Sequence, residues 1–227
     1  MTELSSTGNA AVAIPARDEA AHLGAIVRGC RALGFEVWVV DDGSDDDTGE
    51  IARREGAEVL RHATSLGKGA AIRTALRRFL ASKRGALVLM DADGQHDPRF
   101  APEFLRAAAV ADLVLGNRMG NPGAMPPVRR WTNRAMSLFL SRMCGAAIPD
   151  SQCGYRLLSR RFAEAFRPTT SHFELESEML VQAARFGFKI TSVPIPAVYG
   201  SSPSHIRPIR DTLRFLGFLA KARFSIR

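Results

Sequence analysis

Short apolar runs alternate with segments of helical periodicity along the first half of the chain, and this alternation constrains the fold most. An apolar run over 10–14 is followed by a helical pattern over 19–33, for which Asp18 is the expected N-cap, and by a second apolar run over 35–40. Parallel strands need a crossover connection, usually a helix, whereas antiparallel neighbours can be joined by a tight turn. The pattern therefore predicts an α/β fold, a mostly parallel sheet flanked by helices. Further strands are expected over 57–61, 85–90 and 111–115, and helices over 48–55, 98–109, 125–145 and 173–186, with one more that ends at residue 81.

Charge and composition limit the classes of partner. The 227 residues suffice for one large domain, and the 46% hydrophobic and 24% charged content is that of an ordinary globular protein. The net charge of +8 favours a partner with negative charge, such as nucleic acid, anionic lipid or a phosphorylated small molecule. Because the basic residues are scattered and no nucleic-acid motif occurs, nucleic acid is not the expected partner.

The cysteines and the N-terminus bear on the compartment. Cys30, Cys144 and Cys153 lack the spacing of a zinc site or a disulfide framework, which favours a reducing cytosol. Residues 1–13 lack the features of a signal peptide, and no run reaches the ~18 apolar residues that span a bilayer. We expect a cytoplasmic protein, with peripheral contact to the cytoplasmic face of the membrane as an open option.

Two carboxylates follow the apolar run over 85–90. Asp91 and Asp93 are separated by one residue, and in a strand such residues point to the same face. Mg²⁺ and Mn²⁺ prefer oxygen ligands and are commonly held by one or two carboxylates together with substrate phosphates. A polar turn after a strand is the simpler interpretation of the same residues.

Three other segments place groups suited to a nucleotide beside predicted strands. Asp42 follows the strand over 35–40 and is placed to accept hydrogen bonds from a nucleoside; Lys68 lies between two glycines at a helix start; Arg118 follows the strand over 111–115. Each also has a plain structural explanation, as a turn residue or a solvated side chain. Because ligands of open parallel sheets bind outside the carboxyl ends of the strands, one shared site explains all of them together.

These motifs resemble family 2 glycosyltransferases of the GT-A fold, in particular the branch that contains dolichyl-phosphate mannose and dolichyl-phosphate glucose synthases. The resemblance runs from about residue 10 to 200. It is carried by the motifs IPARDE (14–19), VVDDGS (39–44), LGKG (66–69), DADGQH (91–96), GNR (116–118), DSQCGYR (150–156), FE with a further Glu (173–178) and VPI (193–195).

The resemblance implies a set of site residues. Asp91, Asp93 and Gln95 would hold Mg²⁺ or Mn²⁺, and Asp93, Arg118 and Asp150 would be the catalytic residues. The acceptor phosphate would meet Arg129, Arg130, His205 and Arg207. The residues expected to bind the nucleotide-sugar are Pro15, Ala16, Arg17, Glu19, Val40, Asp42, Lys68, Asp91, Ala92, Asp93, Gln95 and Arg118.

The reaction that the resemblance implies is the inverting transfer of a hexose from UDP-glucose or GDP-mannose to a polyprenyl phosphate. A phosphate acceptor is largely ionised near neutral pH and needs no strong base. A sugar or lipid hydroxyl acceptor is the alternative, and it would require a base, for which Asp150 is the candidate. A sugar-phosphate nucleotidyltransferase is a third option, although the expected glycine-rich basic loop does not follow the first strand. The motifs do not settle the donor, because some match glucose enzymes and others mannose enzymes.

The second half of the chain is assigned to the acceptor. We expect a catalytic domain over 1–205, with a nucleotide-sugar half over about 10–118 and an acceptor half over about 119–205. The helix over 125–145 has an apolar stripe, which is typical of a core face, next to arginines that would suit a lipid phosphate. Residues 206–227 form a basic amphipathic segment, which is expected to be a helix that packs on the domain or lies in a membrane interface. The sequence does not indicate an oligomeric state.

Overall fold

Seven strands form one sheet in the computed structural model of the protein, which describes residues 7–123, 125–170 and 174–198. The strands are β1 (Ala10–Ala16), β2 (Glu36–Asp41), β3 (Glu58–Arg61), β4 (Ala86–Leu89), β5 (Leu113–Asn117), β6 (Arg156–Ser159) and β7 (Ile190–Pro194). The α-helices are α1 (Ala20–Ala32), α2 (Thr48–Arg54), α3 (Lys68–Leu80), α4 (Ala101–Ala107), α5 (Pro127–Cys144), α6 (Arg160–Ala165) and α7 (Glu174–Arg185). Short 3-10 helices cover Thr7–Asn9 and Pro98–Phe100.

The strand order is β3-β2-β1-β4-β6-β5-β7, and the sheet is mostly parallel. The exception in the described part is β6, which pairs antiparallel with both β4 and β5. The predicted parallel sheet flanked by helices is thus confirmed. The sequence interpretation missed β6, α6 and β7, since β6 has only four residues and continues directly into α6.

The sheet is covered by helices on both faces because its strands alternate between two cores. Within β1, Val12 and Ile14 belong to one core, which contains side chains of α1 and α4, while Ala11 and Ala13 belong to the other, which contains side chains of α3 and α7. Burial on both faces explains why the strands read as continuous apolar runs rather than as alternating ones.

Helix α1 begins differently from the sequence prediction. Asp18 was expected to cap it, but the cap position is Glu19, and no side-chain cap hydrogen bond forms there. The first backbone N–H groups donate instead to side chains between β2 and the first residue of α2: Glu19 N to Thr48 Oγ1 at 2.8 Å and Ala20 N to Asp46 Oδ2 at 3.2 Å. The connection from β2 to α2 therefore supplies the cap that the sequence assigned to Asp18.

Part of the predicted architecture falls outside the described residues. These are the C-terminal helix over 206–227 and two of the expected acceptor residues, His205 and Arg207. Within the part of the chain that the structure describes, no helix is both long enough and apolar enough to cross a bilayer. The division into a domain over 1–205 and a C-terminal segment remains a prediction.

Candidate active site

The candidate site lies at the carboxyl edge of the sheet, where β4 and β5 end. Asp91 follows β4 by two residues, Arg118 follows β5 directly, and Lys68 is the first residue of α3. The carboxyl ends of parallel strands meet at one edge of a sheet, so residues far apart in the chain come together there.

Lys68 joins two carboxylates at this edge. Its Nζ lies 2.6 Å from Asp91 Oδ1 and 2.8 Å from Glu176 Oε1, and all three side chains are at least three-quarters shielded from solvent. Burial by itself would lower the pKa of Lys68, but the two carboxylates raise it above its usual range. Burial would likewise raise the pKa of Asp91, but the neighbouring positive charges, that of Lys68 above all, lower it below its ordinary value. Both groups are therefore charged at neutral pH.

The position of Asp91 is fixed by its backbone and by a glycine. The Asp91 N–H donates to Nδ1 of His96 at 3.1 Å, so this nitrogen carries no proton. Burial lowers the pKa of His96 below its ordinary value, which is consistent with a neutral imidazole. A Cβ at Gly154 would lie 2.3 Å from Asp91 Oδ2, so only glycine allows the carboxylate to occupy this place.

Asp93 is held less tightly. Its Oδ1 accepts a hydrogen bond from the backbone N–H of Gln95 at 3.0 Å, and the side chains of Asp93 and Gln95 remain partly exposed. Among the described residues, no group of three or more His, Cys, Asp or Glu side chains could hold a metal ion by itself. Asp91 and Asp93 thus offer a partial ligand set, which fits a hard cation whose remaining ligands come from phosphate and water.

Arg118 is oriented by a buried carboxylate. Its Nε lies 2.8 Å from Asp150 Oδ2 and its Nη2 lies 3.0 Å from Asp150 Oδ1, and the Asp150 side chain is 0% exposed. Asp150 also accepts hydrogen bonds from the Arg118 N–H and, at 2.7 Å, from Asn133 Nδ2. Burial would raise the pKa of Asp150, but these donors lower it below its ordinary value.

This geometry argues against Asp150 as the base that a hydroxyl acceptor would require. A general base must reach the proton that it removes and must have a pKa near the working pH. Asp150 is enclosed, its oxygens already accept four hydrogen bonds, and its pKa is lowered. It is placed to position Arg118 rather than to take a proton.

Asp42 also has a different environment from the one expected. Its carboxylate is buried and accepts hydrogen bonds from the N–H groups of Leu66 and Gly67 at 2.9 and 2.8 Å and from Ser65 Oγ at 2.9 Å. His62 Nδ1 lies 2.6 Å from its Oδ1. Both oxygens are fully used inside the protein, so the carboxylate anchors the loop that leads to Lys68 instead of facing a nucleoside.

The other predicted nucleotide contacts divide into buried and accessible groups. The side chains of Ala16, Val40 and Ala92 lie in the core and offer no surface to a ligand. Pro15 is partly buried beside Val40 in the β1–β2 register, and Glu19 is partly buried at the start of α1. Arg17 is exposed, with its Nε 3.5 Å from Asp18 Oδ2. Of these six residues, Pro15, Arg17 and Glu19 can therefore still present side chains to a nucleotide.

Two residues of the site were missed from the sequence. Glu176 lies in α7 and contacts Lys68, and Asn133 lies in α5 and binds Asp150. Glu178, the second glutamate of the motif over 173–178, does not contact Lys68; its carboxylate accepts hydrogen bonds from the N–H groups of Thr169 and Thr170 and so has a structural role. No local pattern distinguishes Glu176 from Glu178, because only the packing of α7 decides which one faces Lys68.

Arg129 and Arg130 lie one turn before Asn133 at the start of α5. Both are partly buried, and Arg130 Nε is buried without a hydrogen-bond partner among the described residues. A buried guanidinium nitrogen that lacks a partner is suited to an anionic ligand.

The comparison with known families is decisive for the class of protein. A family model described as glycosyl transferase family 2 matches residues 11–167, which is more than half of the chain and includes the carboxyl-edge residues from β1 to Arg156. The chain belongs to glycosyl transferase family 2. It is therefore a glycosyltransferase, as its motifs predict.

Relatives and solved structures agree with this assignment. The undecaprenyl-phosphate mannosyltransferase of Micrococcus luteus is 35% identical over 174 residues, which cover 72% of each chain. The dolichyl-phosphate hexose transferase of Haloferax volcanii is 35% identical over 158 residues, covering 68% of this chain and 67% of the relative.

Glucosyl-3-phosphoglycerate synthase from Mycobacterium tuberculosis, solved with Mn²⁺, UDP and glucosyl-3-phosphoglycerate, superimposes with a TM-score of 0.73 at 21% identity, over 99% of this chain and 82% of the other. This likeness confirms the GT-A fold.

Proposed function

We propose that this glycosyltransferase moves a hexose from a nucleotide-sugar, UDP-glucose or GDP-mannose, to a polyprenyl phosphate, with Mg²⁺ or Mn²⁺ bound at the donor. The observation that carries the proposal is the cluster of Asp91, Lys68 and Arg118 beside Asp93 at one edge of the sheet. The relatives named for undecaprenyl-phosphate and dolichyl-phosphate transfer support the acceptor, and the structure solved with UDP and Mn²⁺ supports the donor class.

The charges of the cluster suit a nucleoside diphosphate. Asp91 and Asp93 would hold the divalent cation, which when bound neutralises charge that develops on the departing diphosphate. Lys68 and Arg118 supply two further positive charges, and Asp150 keeps the Arg118 guanidinium in one orientation. A fixed guanidinium loses less side-chain entropy when a phosphate binds, and its planar fork matches phosphate oxygens.

The chemistry proposed for the acceptor needs positioning more than proton transfer. An oxygen of the acceptor phosphate attacks the anomeric carbon, a new carbon–oxygen bond forms, and the bond to the nucleoside diphosphate breaks with its electron pair. Because the attacking phosphate is already largely ionised near pH 7, no protein base is required. Arg129 and Arg130 at the start of α5, one turn before Asn133, are the described residues suited to hold that phosphate.

The environment of Asp150 weighs against the hydroxyl-acceptor alternative. A hydroxyl would need a base with free access, and Asp150 is fully buried and saturated with hydrogen bonds. The sugar-phosphate nucleotidyltransferase is set aside because the chain belongs to a glycosyltransferase family.

The proposal is tested with purified protein, Mg²⁺ or Mn²⁺, a panel of labelled UDP- and GDP-sugars, and a polyprenyl phosphate. We expect a sugar–lipid product with one of the donors, and a loss of at least about 100-fold in kcat/KM in Asp93→Ala, a scale typical for removing a group that stabilises transition-state charge. The matched control is Asp47→Ala, since Asp47 is an exposed carboxylate outside the site.

Two results would contradict the proposal. Full activity of Asp93→Ala would remove the metal assignment, and turnover with soluble hydroxyl acceptors but never with polyprenyl phosphate would remove the acceptor assignment. The donor nucleotide is identified separately by the nucleoside diphosphate that raises the melting temperature most in the presence of metal, since a ligand that binds only the native state stabilises it.

A further inference from the structure

Helix α5 exposes four large apolar side chains, whereas two of its three buried residues are polar. The buried residues are Asn133, Ser137 and Leu140. Asn133 donates to Asp150, and Ser137 Oγ donates to Ser151 Oγ at 3.1 Å. Hydrogen bonds as well as apolar contact thus attach this helix to the domain.

The outer face of α5 consists of Val128, Trp131, Leu138 and Phe139, all large apolar residues. Successive members of this set are three, seven and one residues apart in the sequence, which places them on one side of the helix. Asn133 and Ser137 lie on the opposite, buried side. Trp131 is 77% exposed and Val128 is 75% exposed. A contiguous apolar face of this kind on a water-soluble domain marks an interaction surface.

The charge around the outer face identifies the kind of partner. Helix α5 contains four arginines, Arg129, Arg130, Arg134 and Arg142, and no acidic residue. Apolar and aromatic side chains next to arginines are the composition of helices that lie in the interface of an anionic bilayer. Trp side chains prefer the headgroup level, and Lys or Arg side chains near an anionic surface gain attraction from its potential.

Two other occupants complement the face less well. The segment 206–227 of the same chain carries six basic residues and one acidic residue, so packing it on α5 would bring like charges together. A second copy of the chain would place one row of arginines against another. An anionic lipid surface satisfies both the apolar side chains and the arginines.

We infer that the outer face of α5 docks on an anionic lipid bilayer. This inference rests on the proposed lipid-phosphate acceptor and adds the surface through which the enzyme would meet it. The inner face of the same helix binds Asp150, which orients Arg118, so docking would place the bilayer one helix diameter from the candidate site. A lipid phosphate in that bilayer could then reach Arg129 and Arg130.

The first test measures vesicle binding of the full chain, without donor or acceptor. The test variant is Val128→Ser with Phe139→Ser, and the matched control is Val110→Ser with Phe186→Ser, which removes the same two residue types from exposed positions before β5 and β7. With vesicles of phosphatidylcholine and phosphatidylglycerol we expect the test variant to partition at least tenfold more weakly than the parent protein, and the control to stay within twofold. Pure phosphatidylcholine should bind the parent protein more weakly than the mixture.

Trp131 provides an independent readout. The chain has two tryptophans; Trp38 is fully buried and Trp131 is exposed, so Trp131→Phe isolates the signal of the outer face. We expect the Trp131 emission to shift to the blue and to become shielded from iodide when anionic vesicles are added. The melting temperature of each variant checks folding.

Each other outcome overturns the inference. Equal vesicle partitioning of the parent protein and the test variant removes the bilayer as the partner. If the parent protein is a dimer without vesicles and the test variant is a monomer, the face binds a second copy of the chain. If the parent protein is a monomer whose Trp131 emission is already blue-shifted and shielded from iodide without vesicles, the face is covered by the segment 206–227. Sugar transfer to a short, water-soluble prenyl phosphate tests the proposed function separately, because it requires no vesicle.

Discussion

Asp150 and Arg118 form a buried ion pair between residues that are 32 positions apart in the sequence. The guanidinium makes two side-chain hydrogen bonds to the carboxylate, and Asn133 adds a third from α5. Breaking one partner of such a pair leaves an uncompensated charge, which costs much more than the intact pair contributes.

We expect Asp150→Asn to lower the free energy of unfolding by roughly 3 kcal/mol, because Arg118 loses its counter-charge in a shielded place. The KM for the donor should rise. The fall in rate on the acidic side of the pH–rate profile should persist, because Asp150 is not expected to act as a base. Urea unfolding and initial rates between pH 5 and 9 measure both effects. Loss of the acidic limb together with an unchanged donor KM would instead make Asp150 the base.

Lys68 forms an ion pair with Asp91, the carboxylate that is expected to bind the donor's cation. Two unit charges 4 Å apart near a protein surface interact by about 4 kcal/mol, so Lys68 competes with a divalent ion for Asp91 when no donor is present. We expect Lys68→Met to bind Mn²⁺ alone at least fivefold more tightly, and to bind UDP or GDP with Mn²⁺ more weakly, because one charge for the diphosphate is lost.

Isothermal titration with Mn²⁺ alone, and then with nucleotide at saturating Mn²⁺, measures these two changes. Lys83→Met is the control, since Lys83 is an exposed lysine after α3. Weaker binding of Mn²⁺ alone by Lys68→Met would contradict the competition.

At the scale of elements, the loop between β3 and α3 is held by one carboxylate. The Asp42 carboxylate accepts hydrogen bonds from the N–H groups of Leu66 and Gly67, and Gly67 adopts a positive φ of 93°, a backbone conformation that favours glycine. The loop leads directly into Lys68, so the placement of Lys68 depends on Asp42.

We expect Asp42→Asn to lower the free energy of unfolding by about 2 kcal/mol, because an amide NH₂ would face backbone N–H donors that it cannot satisfy. Amide hydrogen exchange of residues 62–67 should become faster. Asp47→Asn serves as the control. If Asp42→Asn weakened nucleotide binding but left stability and exchange unchanged, the nucleoside role expected from the motif would be restored.

For the whole molecule, buried carboxylates determine the response to acid. Burial would raise the pKa values of Asp42, Asp112 and Asp150, but hydrogen bonds and arginines lower them below the ordinary value of 3.8. A lowered pKa in the folded state contributes stability above the unfolded pKa, and this stability is lost as the pH falls through the folded pKa.

The free energy of unfolding should therefore be nearly constant from pH 7 to about 5 and fall steeply below about pH 4. Asp112 tests this outside the candidate site, because it binds Arg161 and the Lys189 N–H. Asp112→Asn should be less stable at pH 7 and approach the parent protein at low pH, as measured by urea titrations at several pH values. A constant offset between the two curves at every pH would contradict this linkage.

The alternation of apolar runs and helical segments was enough to predict the parallel sheet, because burial on both faces requires continuous apolar strands and parallel pairing requires helical crossovers. The sequence also located Asp91, Lys68 and Arg118, since polar residues that follow such strands meet at one edge.

Tertiary structure decided what each polar group contacts. Asp42 and Asp150 carry the expected charges, but their oxygens are used by backbone and side-chain donors that come from distant segments. Glu176 faces Lys68 only because of how α7 packs, and β6 lies between β4 and β5 although four residues carry too little pattern to predict a strand. The apolar stripe of α5 was expected to be core, yet hydrogen bonds from Asn133 and Ser137 turn it outward. A sequence determines which side chains are apolar or charged, whereas the direction in which they point depends on contacts between segments that are far apart in the chain.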